Sequence, residues 1–151
     1  MSAWPVPDPM QRALELARMA AEAGEVPIGA VVVSDGRIVG EAHNAPRETH
    51  DPTAHAEVLA IRRAAEALGS ERLEGCDLHV TLEPCPMCAG AISHARIARL
   101  YYGAPDPKGG AVEHGARVFE HPQCLRGPEV YSGIGESEAA GLLRGFFEAR
   151  R

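Results

Sequence analysis

Two short motifs, thirty positions apart, constrain the fold of this chain more than any other feature. The first is His55-Ala-Glu57 and the second is Pro84-Cys-Pro-Met-Cys88. One imidazole and two thiolates are typical zinc ligands, and three protein ligands leave the fourth position of a tetrahedral site open to water, as in catalytic rather than structural sites. A fold that agrees with this interpretation must bring residue 55 into direct contact with residues 85 and 88.

Glu57 lies two positions after the candidate histidine ligand. A carboxyl group there suits a general acid/base that carries protons between a water molecule and a substrate. The combination of His-x-Glu with Pro-Cys-x-x-Cys is the signature of zinc-dependent nucleobase deaminases. The residues therefore predict hydrolytic deamination, with His55, Cys85 and Cys88 as zinc ligands and Glu57 as the catalytic proton carrier.

The cysteines have two other interpretations, a redox Cys-x-x-Cys and a structural zinc closed by a fourth protein ligand. His79 and His94 are the candidates for that fourth ligand. Strand alternation predicts that His79 faces solvent, and His94 is expected at the C-terminal end of a short helix, where the helix dipole favours a cation. We prefer the catalytic interpretation because the His-x-Glu motif accompanies Pro-Cys-x-x-Cys at a spacing that one domain can accommodate.

Apolar periodicity and turn residues predict one α/β domain over residues 1–151. The predicted elements are a helix from residue 8 to 24, strands 28–34 and 37–42 around the turn Asp35-Gly36, a helix 53–68, a strand 77–82, a helix 86–95, strands 97–102 and 130–131, and a helix 136–151. The polar stretch 43–52 is predicted to be a loop, and helix 53–68 to bury large side chains such as Leu59 and Leu68. These elements form three layers, a five-stranded mixed sheet with helices on both faces.

Composition limits the partners and the location. The net charge of −6 argues against a large nonspecific nucleic-acid surface but leaves room for a small site with a basic rim. The sequence has no apolar run long enough for a membrane span and no N-terminal secretory signal, so a cytoplasmic protein is expected. Cys76 and Cys124 lack a metal-ligand spacing and are expected to be buried or half-buried thiols.

Several segments resemble the bacterial tRNA-specific adenosine deaminases of the cytidine/deoxycytidylate deaminase superfamily. They are Val26–Val31, Asn44, His50–Glu57, Val80–Gly90, Gly103–Ala111 and the closing Gly145–Arg151. The resemblance implies a cytidine-deaminase-like fold and a homodimer with one zinc ion per subunit on His55, Cys85 and Cys88. It also implies conversion of the wobble adenosine, position 34, to inosine in an arginine tRNA that is recognised through its anticodon stem-loop.

The same resemblance implies four substrate-binding residues. Asn44 would hydrogen-bond the purine edge, Ala56 would contact the substrate beside the histidine ligand, Asp106 would touch the nucleic-acid backbone beside a flipped base, and Phe147 would line the anticodon loop. Composition alone favours a turn role for Asn44 and Asp106. For the adjacent Phe146 and Phe147, helix geometry predicts one buried and one exposed ring.

Two competing functions remain compatible with the sequence. A deaminase of a free base or nucleoside, such as guanine or cytosine, would have the same zinc core. A zinc-stabilised binding module without catalysis would retain the ligands but would not need Glu57. The features that favour RNA lie outside the zinc motif: the loop Asp106–Gly110 and a set of basic residues that could form a rim, namely Arg47, Arg62, Lys108, Arg144, Arg150 and Arg151.

Overall fold

The predicted elements are present, with shifts of a few residues at their ends. The computed structural model describes residues 5–124 and 126–150. In chain order the elements are α1 (Asp8–Glu22), β1 (Gly29–Ser34), β2 (Arg37–His43), α2 (Pro46–Thr49), α3 (Ala56–Leu68), β3 (Asp77–Leu82), α4 (Pro86–Ala95), β4 (Arg99–Ala104), a 3₁₀ turn (Val118–Glu120), β5 (Glu129–Tyr131) and α5 (Glu136–Glu148). The one-turn helix α2 lies in the stretch that was expected to be a loop. In the described part of the chain, no helix is long and apolar enough to cross a membrane.

The five strands form one mixed sheet in the order β2-β1-β3-β4-β5. β1 is antiparallel to β2 and to β3, whereas β3, β4 and β5 are parallel. The β1–β2 hairpin closes on Asp35 and Gly36, whose φ angles are 50° and 75°. Both lie in the left-handed region that two-residue hairpin turns require, which explains why Asp-Gly occupies these positions.

Helices cover both faces of the sheet, as predicted. On one face α1 and α5 pack on β1 and β4 around Leu14, Val31 and Ala139. On the other face α3 and α4 pack on the sheet around Ala60, Leu78 and other buried apolar residues. The result is the predicted three-layer α/β/α arrangement, and α5 lies on the face opposite α3 and α4.

The buried face of α3 differs from the prediction. Three alanines and Glu57 are its buried residues, Leu59 and Ile61 are only half-buried against the core, and Leu68 is 43% exposed. The reason lies in β2, where a Cβ atom on Gly40 would be 2.4 Å from the carbonyl oxygen of Ala60 and 2.9 Å from the methyl of Ala64. Strand and helix backbones approach so closely that larger side chains do not fit between them.

The ends of β2, β3 and β4 meet at one edge of the sheet. The register pairs His43 at the end of β2 with Gly29 at the start of β1, and Leu82 with Ala104 at the ends of β3 and β4. The residues that follow these three strands therefore converge. Open α/β sheets bind their ligands outside the carboxyl ends of the strands.

Candidate active site

The three predicted zinc ligands are brought together by the N-termini of two helices. His55 is the N-cap residue of α3, Cys85 is the N-cap residue of α4, and Cys88 is the third residue of α4. His55 Nδ1 is 3.6 Å from Cys85 Sγ and 3.5 Å from Cys88 Sγ. Zinc bonds of about 2.3 Å to sulfur and about 2.0–2.1 Å to nitrogen at a tetrahedral angle require an S···N separation of about 3.6 Å. The side chains therefore fit a zinc ion.

A fourth protein ligand is absent from the described residues. Among those residues, His55, Cys85 and Cys88 form the only group of three or more side chains whose ligand atoms lie close enough together to hold a metal ion. The prediction that His79 faces solvent is wrong, because its ring is buried and stacks on Tyr101 with ring centroids 4.5 Å apart. Burial lowers the pKa of His79 to about 4. A structural zinc closed by His79 or His94 finds no support in this geometry.

The site favours negative charge on the sulfur of Cys85, whereas the hydrogen bond with Cys85, followed by burial, raises the pKa of Cys88. A hydrogen bond from the Cys88 thiol, followed by one from His55 and one from the Cys88 backbone N–H, lowers the pKa of Cys85 to about 4. The hydrogen bond to Cys85 in turn raises the pKa of His55. Because the free backbone amides at a helix N-terminus favour anions, two such termini at one place stabilise thiolate ligands.

Glu57 lies beside the ligands and is shielded from solvent. It is the second residue of α3, it is 4% exposed, and it forms a hydrogen bond with the Cys88 thiol. Burial raises the pKa of Glu57 to about 7. A carboxyl group with this pKa gains and releases protons readily near neutral pH, as a general acid/base must.

Asn44 follows β2 directly and is buried. Its backbone N–H donates to the carbonyl oxygen of Ile28 at 3.0 Å, which joins it to the start of β1. Its side-chain oxygen has no hydrogen-bond partner among the described residues. A buried polar atom without a partner destabilises the fold by about 1–3 kcal/mol, which makes this oxygen a candidate for contact with a ligand.

The other predicted substrate-binding residues lie in different environments. Ala56 is fully buried in the core. The Asp106 side chain accepts hydrogen bonds from the backbone of Lys108 and Gly109, in the turn that composition favoured. Phe147 is 49% exposed on α5, while Phe146 is buried, as expected for neighbouring helical positions. Arg151 lies outside the described residues.

Glu25 is a buried carboxylate that the sequence motifs did not indicate. It lies between α1 and β1, is 2% exposed, and accepts hydrogen bonds from the backbone N–H groups of Arg47 at 3.2 Å and Glu48 at 2.7 Å. It therefore caps α2 from 22 positions away and holds the segment that directly follows Asn44. In the sequence, Glu25 is a single acidic residue before Val26-Pro27, and no neighbouring residue indicates its contact with α2.

We expect Glu25→Ala to destabilise the protein by about 2 kcal/mol, because two amides in a partly buried helix end lose their charged acceptor. Urea unfolding followed by circular dichroism measures the effect. Glu22→Ala is the matched control, since Glu22 is exposed at the end of α1 and should change stability by less than about 0.5 kcal/mol. Equal stability of the two variants would contradict the capping role.

Glu83 is a second buried carboxylate without a sequence-based assignment, although it lies in the segment Thr81–Cys88. Four backbone N–H groups donate to it, those of Asp106, Val112, Glu113 and His114, at 2.9–3.1 Å. Burial alone would raise the pKa of Glu83, but these hydrogen bonds together with the His114 side chain hold it below its usual range. Glu83 is therefore a carboxylate anchor for the loop 105–115.

A three-layer α/β/α fold that presents one histidine and two cysteines at helix N-termini, with a buried glutamate beside them, defines the class of cytidine-deaminase-like enzymes. Members of this class are zinc-dependent and act on amino groups of nucleobases.

Comparison with known proteins gives the family within this class. The profile of the MafB19-like deaminases matches residues 7–151. The chain is 62% identical over 142 residues to the tRNA-specific adenosine deaminase of Agrobacterium fabrum. The aligned region covers 94% of this chain and 93% of the relative. A solved structure of a tRNA:A34 deaminase superposes with a TM-score of 0.88 at 62% identity, over 89% of this chain and 98% of the other. The guanine deaminase of Nitrosomonas europaea superposes with a TM-score of 0.75 at 26% identity, over 91% of this chain and 82% of the other. The chain belongs to the MafB19-like deaminase family and groups with its tRNA-specific adenosine deaminases.

Proposed function

We propose that this chain converts the wobble adenosine of a tRNA anticodon, in an arginine tRNA, to inosine. One observation carries the proposal: the three-ligand group and the buried Glu57 occur in a chain that is 62% identical over 94% of its length to a tRNA-specific adenosine deaminase. The related tRNA:A34 deaminase carries out A-to-I editing at the wobble position of transfer RNA.

The residues of the site divide the chemistry between them. His55, Cys85 and Cys88 would hold one zinc ion per chain, and zinc in such a site makes hydroxide available from water near neutral pH. Glu57 takes the proton of the attacking water and delivers protons to the ring nitrogen and to the departing amine. Water adds at the carbon that carries the amino group, the C–N bond breaks, and inosine and ammonia are the products. The burial of Glu57 keeps bulk water from exchanging these protons.

Recognition of RNA by a chain with a net charge of −6 requires basic residues concentrated near the site. Lys108 is exposed on the 105–115 loop. A cleft of about 400 Å³ between the C-terminal half of α4 and the 3₁₀ turn is lined by His94, Arg96, His121 and Arg126, and none of its described lining residues is acidic. It lies towards the other end of α4 from Cys85 and Cys88, where it could contact RNA outside the zinc-ligand turn. An anticodon loop presents unstacked bases, which is the form in which proteins usually read RNA.

The test uses an anticodon stem-loop of an arginine tRNA with adenosine at the wobble position. Purified protein should produce inosine in this RNA, measured by nuclease digestion and mass spectrometry, with zinc content determined on the same sample. Free guanine, adenosine and cytidine are incubated in parallel. Deamination of a free base without inosine in the stem-loop would overturn the proposal.

We expect Asn44→Ala to lower kcat/KM for the stem-loop by about 10- to 100-fold, because the variant removes one or two hydrogen bonds to a desolvated base. Single-turnover kinetics with the anticodon stem-loop measure the loss. Stability should not fall, because the side-chain oxygen of Asn44 has no partner among the described residues. A variant that unfolds more easily and deaminates normally would show that Asn44 is a structural residue.

A guanine deaminase is the second candidate, and the superposition on the Nitrosomonas europaea enzyme favours it over other free-base deaminases. The zinc core does not discriminate between the two substrates. Guanine turnover above that of the stem-loop would support this candidate.

We also propose that the chain acts as a homodimer and, because its substrate is tRNA, that it works in the cytoplasm. Met87 supports the first proposal, since it is 37% exposed on α4 next to Cys88. Sedimentation equilibrium tests the oligomeric state, and a monomer that deaminates at full rate would contradict it.

A further inference from the structure

The loop 105–115 and the zinc-ligand turn are joined by one buried side chain. Glu83 directly follows β3, two positions before Cys85, and its side chain has no exposed surface. We propose that Glu83 is a positioning residue for deamination of RNA: it fixes the loop 105–115, with Asp106, against the turn that presents Cys85. The inference rests on the proposed function, because it gives that loop a role in binding the RNA substrate.

The two carboxylate oxygens of Glu83 hold different parts of the loop. Oε1 accepts from the backbone N–H of Asp106 at 2.9 Å and lies 2.7 Å from Nδ1 of His114. Oε2 accepts from three consecutive backbone N–H groups, those of Val112, Glu113 and His114, at 3.1, 2.9 and 3.1 Å. Five donors fill the acceptor sites of one carboxylate, so Glu83 has no capacity left for substrate. Its effect must therefore pass through the loop.

Backbone contacts connect the same loop to the zinc-ligand turn. The N–H of Glu83 donates to the carbonyl of Ala104 at 2.9 Å, and the carbonyl of Pro84 accepts from the N–H of Ala111 at 2.8 Å. The next residue is the candidate ligand Cys85. A shift of the Glu83 side chain would therefore displace the loop relative to the metal site.

Gly110 permits this arrangement. A Cβ atom at position 110 would lie 2.5 Å from Cδ of Glu83 and 2.5 Å from the carbonyl oxygen of Asp106. The N–H of Gly110 also donates to that Asp106 carbonyl at 2.8 Å. The loop thus folds around the carboxylate, and any side chain at position 110 would push the two apart.

The main experiment compares Glu83→Gln with the wild-type protein. The glutamine oxygen can still accept from the backbone N–H groups of residues 112–114, but its amino group cannot accept from the Asp106 N–H or from a protonated Nδ1 of His114, so the contacts of Oε1 are the ones released. KM for the anticodon stem-loop should rise about tenfold because the loop must be ordered on binding, while kcat stays within about twofold and zinc stays at one per chain. Hydrogen exchange at the Asp106 amide should accelerate at least about tenfold.

Gly110→Ala is the second variant, which perturbs the same contact without changing charge. It should raise KM and accelerate Asp106 exchange in the same way, so the proposal stays testable if Glu83→Gln does not fold. Glu71→Gln and Gly141→Ala are the matched controls. Glu71 is exposed, and a Cβ atom at Gly141 meets nothing closer than the end of Arg144 at 3.9 Å. Neither control should change KM or exchange.

The outcomes separate the inference from the proposed function. Wild-type protein that makes inosine, with KM and Asp106 exchange unchanged in both variants, overturns the role of Glu83. Loss of zinc or of kcat with KM unchanged also overturns it, because Glu83 would then support the metal site alone. Wild-type protein that makes no inosine overturns the proposed function together with the role in RNA binding, and the exchange rates then decide only whether Glu83 anchors the loop.

Discussion

Glu57→Gln is expected to lower the rate of inosine formation by about 10³-fold or more while the variant keeps one zinc per chain. The amide has the size and shape of the carboxyl group, so a residue that is only 4% exposed leaves no cavity on substitution. It cannot take a proton from water or deliver one to the leaving amine. A 10³-fold loss corresponds to about 4 kcal/mol of transition-state stabilisation. Single-turnover deamination of the anticodon stem-loop, with zinc measured on the same protein, checks the result.

Glu66→Gln is the control for this variant, because Glu66 is exposed on the same helix α3. It should deaminate at the wild-type rate. Full turnover in Glu57→Gln would show that another group carries the protons. A protein that binds the stem-loop equally well with and without Glu57, and never produces inosine, would be a zinc-stabilised binding module.

The parts of the structure that depend on nearby residues could be predicted from the sequence. The pair Asp35-Gly36 predicts the β1–β2 hairpin, because the left-handed backbone of a two-residue turn favours these residue types. The proximity of His55 to Cys85 and Cys88 could also be predicted from short motifs. Zinc accepts few ligand types, and a helix N-terminus places Cys85 and Cys88 on one side of a turn.

The parts that depend on distant backbone could not be predicted. The donors to Glu83 lie 23–31 positions away, and those to Glu25 lie 22–23 positions away, so each carboxylate looks like an ordinary acidic residue in the sequence. The alanine face of α3 follows from Gly40 on a neighbouring strand. The prediction that His79 faces solvent was wrong because strand alternation does not reveal its stacking on Tyr101 of the neighbouring strand β4.

The buried carboxylates of Glu25 and Glu83 explain how the loops around the site are held rigid while the surface that faces a ligand stays free. Glu25 and Glu83 each hold a polar loop at the edge where the strands end, one after Asn44 and the other around Asp106. Loops that carry binding residues need a rigid support, because a ligand must otherwise order them on binding. Backbone N–H groups bound to a buried carboxylate supply that support without occupying the surface that faces the ligand.

Cys88→Ser is expected to abolish zinc binding and with it all measurable deamination, because a serine hydroxyl does not ionise near neutral pH as a thiolate ligand must. Zinc binding then no longer adds to the free energy of unfolding of the variant. Free zinc at a thousandfold its dissociation constant stabilises a protein by about 4 kcal/mol, or about 10 °C in Tm for a chain of this size. A chelator should therefore lower the Tm of the wild-type protein by that amount and leave the Tm of Cys88→Ser unchanged.

Cys124→Ser is the control, since Cys124 lies outside the ligand group and its Sγ, 3.2 Å from Ser93 Oγ, can be replaced by a hydroxyl with the same hydrogen bond. If Cys88→Ser retained one zinc per chain and responded to the chelator like the wild-type protein, the His55-Cys85-Cys88 group would not be the metal site.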